Sequence, residues 1–123
     1  MKDIGVAILD RNDALPADHG FFVPTARKRR RTKGLRVTLS GYPGSDFGRL
    51  WEDSGKIRRV RRRVVRYRHW AEGGQSGAPL WRIEGGEARV FAVHSQNYGR
   101  REQGVRITSE RIAWLERLVA EFG

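Results

Sequence analysis

Cysteine is absent from the 123 residues of this chain. Its absence excludes disulfide bonds, a thiol nucleophile and cysteine-ligated zinc, so that stability has to come from packing. The three histidines lack a metal-binding spacing such as His-Glu-x-x-His, and neither a metal ion nor any other cofactor is predicted. No apolar run approaches the roughly 18 residues that span a bilayer. Residues 1–3, Met-Lys-Asp, lead into a strand-like segment rather than a secretory signal, and no membrane partner is expected.

Acidic residues are also few, since 14 Asp and Glu stand against 25 Lys and Arg and leave a net charge of +11. The excess is concentrated in residues 27–31 and 58–68. A positive field of this size attracts nucleic acids, acidic peptides and anionic surfaces alike. In the second run the arginines are interrupted by the β-formers Val60, Val64 and Val65, a pattern that favours an arginine-faced strand or hairpin. A nucleic-acid partner stays open but is not favoured, because no fingerprint of a known nucleic-acid-binding module is visible.

The apolar segments are short and separated by turn residues, which is typical of an all-β domain. Turn residues at 84–87 predict a hairpin, and residues 12–20 have the composition of a connecting loop. Only the end of the chain is helical in pattern: Ser109 is placed to cap a helix whose apolar residues recur at helical spacing. At least six strands are expected, including residues 4–9, 35–40, 50–57, 79–83, 88–94 and 104–108.

One serine lies inside a glycine-rich segment, residues 73–79, with the sequence Gly-Gly-Gln-Ser-Gly-Ala-Pro. Glycines allow close approach of a substrate carbonyl, and the N–H groups of Gly74 and Ser76 can point together at a developing oxyanion. A surface turn between two strands uses the same residue types, so this alternative stays open. The segment lacks the second glycine of the Gly-x-Ser-x-Gly elbow, which argues against an α/β-hydrolase.

Six segments of the chain, taken in order, resemble the chymotrypsin-fold serine endopeptidases and most closely their cysteine-free glutamyl endopeptidase branch. The resemblance implies an all-β fold in which residues 27–123 form the C-terminal six-stranded antiparallel barrel of a two-barrel protein, with a C-terminal α-helix. Residues 1–26 would be a remnant of the N-terminal barrel and the connector. The segments are residues 3–9, 37–44 with their Gly-Tyr-Pro-Gly turn, 50–57, 73–81, 91–95 and 104–108.

The resemblance also implies catalytic roles: Ser76 as the nucleophile, the N–H groups of Gly74 and Ser76 as the oxyanion hole, and Asp3 as the carboxylate that orients the catalytic imidazole. The family's histidine precedes this aspartate, whereas all three histidines of the chain follow Asp3. Neither His19 nor His69 has the family position. The missing N-terminal barrel is therefore expected to supply the histidine, and the chain alone is expected to be inactive.

Substrate-binding positions implied by the resemblance are His94, Ser95, Ala71 and Gln75, which would hold a peptide or protein. An imidazole at His94 fits an acidic residue before the scissile bond, although Ala71 stands where the family has a hydroxyl. A basic residue fits less well, because Trp70 occupies the position of an aspartate that would bind it. The family implies a secreted or periplasmic location. Two other functions stay open: an inactive homologue acting as a binding module, and a basic nucleic-acid-binding protein.

Overall fold

The structure, a computed structural model, describes residues 4–9, 20–46, 48–98 and 101–122. Its helices are Arg29–Thr32 and Ser109–Phe122, and a 3₁₀ turn spans Gly44–Asp46. The elements in chain order are β1 (Val23–Pro24), α1 (Arg29–Thr32), β2 (Arg36–Gly41), β3 (Trp51–Lys56), β4 (Arg59–Val60), β5 (Val64–Tyr67), β6 (Pro79–Glu84), β7 (Glu87–Tyr98), β8 (Arg101–Arg106) and α2 (Ser109–Phe122).

The strands form one sheet in the order β3-β2-β6-β7-β8-β5-β4, and every pair along this path is antiparallel. The two end strands, β3 and β4, are separated in the chain only by Ile57 and Arg58. The chain therefore joins one edge of the sheet to the other, and β3 with β4 acts as one bent strand of a six-stranded barrel. The predicted fold class, an antiparallel barrel with a C-terminal helix, is confirmed.

Alternating apolar residues explain why these strands face one core. In β2, Val37 and Leu39 are buried while Arg36 is exposed, as expected for side chains that alternate across a strand. Burying each such side chain stabilises the folded state by about 2 kcal/mol. The core of the barrel is built from Val37, Leu39, Ile57, Val65, Tyr67, Ala71, Ala78, Leu80, Phe91 and Ala92.

The second arginine run forms the predicted hairpin, with β4 and β5 antiparallel and Arg59 opposite Arg66. Val65 is completely buried, whereas the arginines of residues 61–63 face solvent. For the first arginine run, residues 27–31, the sequence predicted a positive charge but no secondary structure; part of this run forms the short helix α1. This turn is held by the buried Thr32, whose hydroxyl donates to the Lys28 carbonyl at 2.9 Å.

Two sequence predictions about the ends of the chain are wrong. Residues 4–9 were predicted as a strand, yet they pair with no strand of the described chain and Val6, Ile8 and Leu9 are 44–56% exposed. An apolar run forms a strand only when a partner is present to satisfy its backbone. At α2, Thr108 rather than Ser109 is the capping residue, because the Thr108 hydroxyl accepts the Arg111 N–H at 3.2 Å.

None of the helices in the described part of the chain is both long and apolar enough to cross a membrane. No residue of α2 is buried, and its apolar residues Val119 and Phe122 are 69% and 58% exposed. The predicted boundary between a remnant at residues 1–26 and a barrel at residues 27–123 remains a prediction. Asp3 and His19 lie outside the described residues.

Candidate active site

Ser76 lies in the loop between β5 and β6, with its side chain exposed. Its hydroxyl points at the carbonyl of Ser95, with 3.5 Å between Ser76 Oγ and Ser95 O. The β7–β8 register shifts between His94 and Gln96, so that Ser95 is the extra residue of a β-bulge. Bulges redirect a strand locally. Here the bulge brings the main chain of Ser95 to the nucleophile position predicted from sequence.

The loop that carries Ser76 packs on the turn that follows β2. Gly44 N–H donates to the Gly73 carbonyl at 2.7 Å, which ties the two segments together. Gly74 has a φ of +100°, and a Cβ atom there would lie 2.7 Å from the backbone nitrogen of Gly44. Both the backbone conformation and the close approach therefore require glycine at this position. The Gly-Tyr-Pro-Gly turn and the serine loop, two separate motifs in the sequence, form one structural unit.

The N–H groups of the serine loop alternate between engaged and available. Gln75 N–H donates to the Glu72 carbonyl at 3.2 Å, and Gly77 N–H donates to the His94 carbonyl at 2.8 Å. By contrast, the N–H groups of Gly74 and Ser76 donate to no acceptor among the described residues. The two N–H groups predicted to form an oxyanion hole therefore have no acceptor among the described residues and lie beside the exposed Ser76 hydroxyl.

Gln75 supports the loop from within. Its side chain is only 2% exposed, and its Oε1 accepts the Glu72 N–H at 2.7 Å. The amide also packs on Gly41, where an added Cβ would lie 3.4 Å from Gln75 Nε2. Gln75 was predicted to contact the substrate; in the structure its side chain is buried and accepts the N–H of Glu72, on the N-terminal side of Ser76.

Glu72 anchors the same loop on its outer side. Its carboxylate accepts hydrogen bonds from the backbone N–H of Ser45, at 2.7 Å, and from the Ser45 hydroxyl. These two donors, the hydroxyl first, hold the pKa of Glu72 below its usual range, because they stabilise the ionised form. The carboxylate next to the predicted substrate position is thus ionised and already bonded within the chain.

His94, predicted as a substrate-pocket residue, is 3% exposed and belongs to a buried polar cluster. Its Nδ1 lies 2.6 Å from the Tyr67 hydroxyl, and its Nε2 lies 3.8 Å from Glu102 Oε2. Glu102 is also 3% exposed, and its Oε2 has no hydrogen-bond partner among the described residues. The cluster Tyr67–His94–Glu102 therefore contains one buried carboxylate oxygen that is not satisfied.

Burial sets the protonation of this cluster. It raises the pKa of Glu102 to about 7 and lowers the pKa of His94, because each group loses hydration of its charged form. Burial, and then the nearby Glu102 carboxylate, raise the pKa of Tyr67. The three groups thus favour their neutral forms, and near pH 7 the carboxyl of Glu102 titrates between neutral and charged.

Sequence reasoning missed Tyr67 and Glu102. Tyr67 is opposite Glu102 in the β5–β8 pairing, and Gly104 is opposite His94 in the β7–β8 pairing. A Cβ at Gly104 would lie 3.1 Å from the Tyr67 hydroxyl, so glycine leaves the room in which the cluster forms. Glu102 and Gly104 are two residues apart in one strand, so their side-chain positions lie on the same face of the sheet. This spacing was the sequence signal for the cluster.

Replacing Glu102 by glutamine is expected to stabilise the protein at high pH. Between pH 4.5 and 7 the folded state binds a proton at Glu102 that the unfolded state has released, so the wild type loses stability as the pH rises through this window. Taking the pKa of about 7, the loss is about 3 kcal/mol at pH 8. Glutamine has no proton to lose. Urea unfolding at pH 5 and pH 8 measures the difference between the two proteins.

The matched control is Glu116→Gln, which removes an exposed carboxylate from α2. The lowered pKa of His94 acts in the opposite direction, since it costs stability as the pH falls through 6.5, but it is common to all three proteins. The stability gain of Glu102→Gln should therefore grow from pH 5 to pH 8, while that of Glu116→Gln stays near zero. A gain of equal size at both pH values would contradict the raised pKa.

The other residues considered at the site have structural contacts. His69 is buried, and its Nε2–H donates to the Val37 carbonyl at 2.9 Å, which fits the prediction that it is not the catalytic base. Ala71 is 9% exposed. Trp70 is half exposed and packs on Trp51, with 5.2 Å between ring centroids. Within the described residues, the imidazoles of His69 and His94 are engaged away from the Ser76 hydroxyl.

Comparison with known proteins gives a match among solved structures only. No protein-family model matches the chain, and no curated protein sequence does. Among solved structures the chain is similar to a Glu endopeptidase in complex with MPD, with a TM-score of 0.65 and 22% sequence identity. The match covers 79% of this chain and 47% of that one, so this chain spans about half the length of that structure. At this identity the likeness shows the fold alone, which is a chymotrypsin-like β-barrel.

Proposed function

We propose that this chain is the C-terminal barrel of a trypsin-like serine endopeptidase that hydrolyses peptide bonds through an acyl-enzyme, with Ser76 as its nucleophile. The observation that carries the proposal is the serine loop: an exposed hydroxyl flanked by two available backbone donors, Gly74 N–H and Ser76 N–H. In such a reaction Ser76 Oγ attacks the carbonyl carbon and the two N–H groups stabilise the resulting oxyanion. The fold that the chain shares with a Glu endopeptidase supports it.

The chain needs a general base that its own described residues do not provide. A serine hydroxyl is a weak nucleophile until an adjacent base removes its proton. We therefore assign the histidine to an N-terminal barrel outside this chain, with Asp3 orienting it. Val119 and Phe122, exposed apolar residues one turn apart in α2, offer apolar surface to a partner of this kind.

We also propose a peptide or protein substrate cut after an acidic residue, in a secreted or periplasmic setting. The net charge of +11 supports an acidic substrate. The main chain of His94 lies next to the nucleophile, because the His94 carbonyl accepts the Gly77 N–H, while its imidazole is buried against Tyr67 and Glu102. The buried carboxyl of Glu102 beside His94 adds a condition: binding of an acidic side chain there should strengthen as Glu102 becomes protonated, because two carboxylates in one buried site repel.

The test is to translate the coding DNA upstream of Met1 in frame, to express the extended protein, and to assay it on peptides that differ only in the residue before the scissile bond. A histidine-bearing barrel upstream, with cleavage after Glu or Asp that rises as the pH falls toward 7, is the expected result. Hydrolysis with another preference would overturn the acidic specificity alone. An immediate stop codon, or an extended protein that neither cleaves peptides nor reacts with a serine-directed phosphonate, would overturn the enzymatic function.

A further inference from the structure

The serine loop and the turn after β2 are joined by three hydrogen bonds, which involve two consecutive residues on each side. Gly44 N–H donates to the Gly73 carbonyl at 2.7 Å. Ser45 N–H donates to Glu72 Oε1, also at 2.7 Å, and the Ser45 hydroxyl donates to the same oxygen. The carboxylate of Glu72 therefore binds the residue that directly follows Gly44.

The main chain of Glu72 is bonded to the other end of the loop. Its N–H donates to Gln75 Oε1 at 2.7 Å, and its carbonyl accepts the Gln75 N–H at 3.2 Å. Gln75 is 2% exposed and lies in the chain between Gly74 and Ser76, whose N–H groups are the donors of the predicted oxyanion hole. Glu72 thus connects the turn after β2 with the residue between the two donors.

The direction of the Gly74 N–H follows from the hydrogen bond at Gly73. The Gly73 carbonyl and the Gly74 N–H belong to one peptide unit, which is planar. The peptide bonds of the described residues are trans, so this carbonyl and this N–H point in opposite directions. Because the Gly73 carbonyl is directed at Gly44, the Gly74 N–H faces away from the turn, where it donates to no acceptor among the described residues.

This peptide unit needs a restraint from outside the loop. It lies between two glycines, and glycine adopts positive and negative φ about equally well, so the local sequence alone does not fix the orientation of the unit. Rotation of the unit would turn the Gly74 N–H away from the serine. The hydrogen bond from Gly44 opposes that rotation, and Glu72 holds the turn that supplies this hydrogen bond.

The charge of Glu72 does not explain this arrangement. A carboxylate close to a developing oxyanion opposes it, because like charges repel. What the contacts use is one acceptor oxygen, Oε1, which receives both hydrogen bonds from Ser45. Glutamine has the same acceptor without the charge, so the two roles can be separated by one substitution.

We propose that Glu72 is a positioning residue for the oxyanion hole: it holds the turn at Gly44 and Ser45 against the serine loop and thereby orients the Gly74 N–H toward a substrate carbonyl. This role rests on the proposed hydrolysis. The restraint on the loop is a property of the chain itself, and it can be measured whether or not the protein hydrolyses peptides.

Amide hydrogen exchange of this chain, followed residue by residue by NMR, measures the restraint. In Glu72→Ala the Gly44 N–H should exchange about tenfold faster, because the turn loses two hydrogen bonds to a charged acceptor. Ser45→Ala removes one of these donors and should accelerate exchange at Gly44 about threefold. The amides of β2 and β5 should keep their rates in both variants.

The matched control is Glu52→Ala, which removes an exposed carboxylate from the neighbouring strand β3 and should leave exchange at Gly44 unchanged. Unchanged exchange at Gly44 in Glu72→Ala and Ser45→Ala would overturn the restraint, whatever the outcome for hydrolysis. Equal acceleration throughout the barrel would also overturn it, because Glu72 would then support folding in general.

Hydrolysis of a peptide ester by the extended protein tests the consequence for the oxyanion hole. In Glu72→Ala, kcat should fall about 10²-fold while KM stays within about twofold, because an oxyanion donor acts in the transition state and not on the bound substrate. Glu72→Gln keeps the acceptor oxygen and should retain kcat within about threefold of the wild type.

Two kinetic results would overturn the positioning role. A higher KM with unchanged kcat in Glu72→Ala would show that Glu72 contacts the substrate. A loss of kcat in Glu72→Gln as large as in Glu72→Ala would show that the charge of Glu72 is what matters. If the wild-type extended protein hydrolyses nothing, the proposed function fails, and the amide exchange of Gly44 decides the restraint separately.

Discussion

In the extended protein that we propose, replacing Ser76 by alanine is expected to lower kcat for peptide hydrolysis by about 10⁴-fold or more. The Ser76 hydroxyl is exposed and lies beside Gly74 N–H and Ser76 N–H, which donate to no acceptor among the described residues. Alanine keeps both N–H groups and removes only the attacking oxygen. Single-turnover kinetics on a peptide ester would measure the acylation step directly.

The matched control is Ser109→Ala, which also removes one exposed hydroxyl, at the start of α2. Ser109 is not the cap of that helix, since Thr108 accepts the Arg111 N–H. Its removal should leave kcat and the urea midpoint nearly unchanged. Retention of hydrolysis in Ser76→Ala would refute the assignment of Ser76 as nucleophile, and equal losses in both variants would point to a general effect on folding.

Replacing Gly74 by alanine is expected to destabilise the chain by about 2 kcal/mol or more. Alanine at a φ of +100° is strained, and its Cβ would lie 2.7 Å from the backbone nitrogen of Gly44. Because the obstacle is backbone, the loop itself has to move, and the hydrogen bond from Gly44 N–H to the Gly73 carbonyl should be lost with it. Urea unfolding of the chain gives the free energy.

Gly73→Ala provides the comparison at the adjacent residue. Gly73 does not have a positive φ, and an added Cβ there would meet no atom within 4 Å. Its unfolding free energy should differ from that of the wild type by less than about 1 kcal/mol, and alanine can even stabilise where the backbone is compatible. If the two variants lost equal stability, the close approach of Gly74 to Gly44 would not be what fixes the loop.

The barrel could be predicted because its strands carry their own signal. Val37 and Leu39 alternate with polar residues, and the turn at residues 84–87 is followed directly by its partner strand. The serine loop could be located because glycine and proline mark it on both sides. In both cases the information lies within a few consecutive residues, where local propensity and burial agree.

The polar cluster behind the loop could not be predicted in this way. Glu102 follows Arg101 in a charged stretch that indicates an exposed strand end, and its burial depends on its pairing with Tyr67 in β5. The strand predicted at residues 4–9 is absent for the opposite reason. The apolar pattern of these residues is that of a strand, but no partner strand is present among the described residues. The choice of a partner strand distant in the sequence, such as β8 for β5, is a property of the assembled sheet that a short segment does not reveal.

Closure of the barrel through Ile57 and Arg58 has a consequence for how fast the chain folds. The hairpins β2–β3, β4–β5, β6–β7 and β7–β8 join neighbours in sequence, but the ring is complete only when β2 meets β6 and β5 meets β8. These two strand pairings bring together Leu39 with Leu80 and Val65 with Gly104, each about 40 residues apart. Pairing of residues distant in the sequence slows folding, so we expect folding in milliseconds to seconds. The hairpins should form first, and the β2–β6 and β5–β8 pairings last.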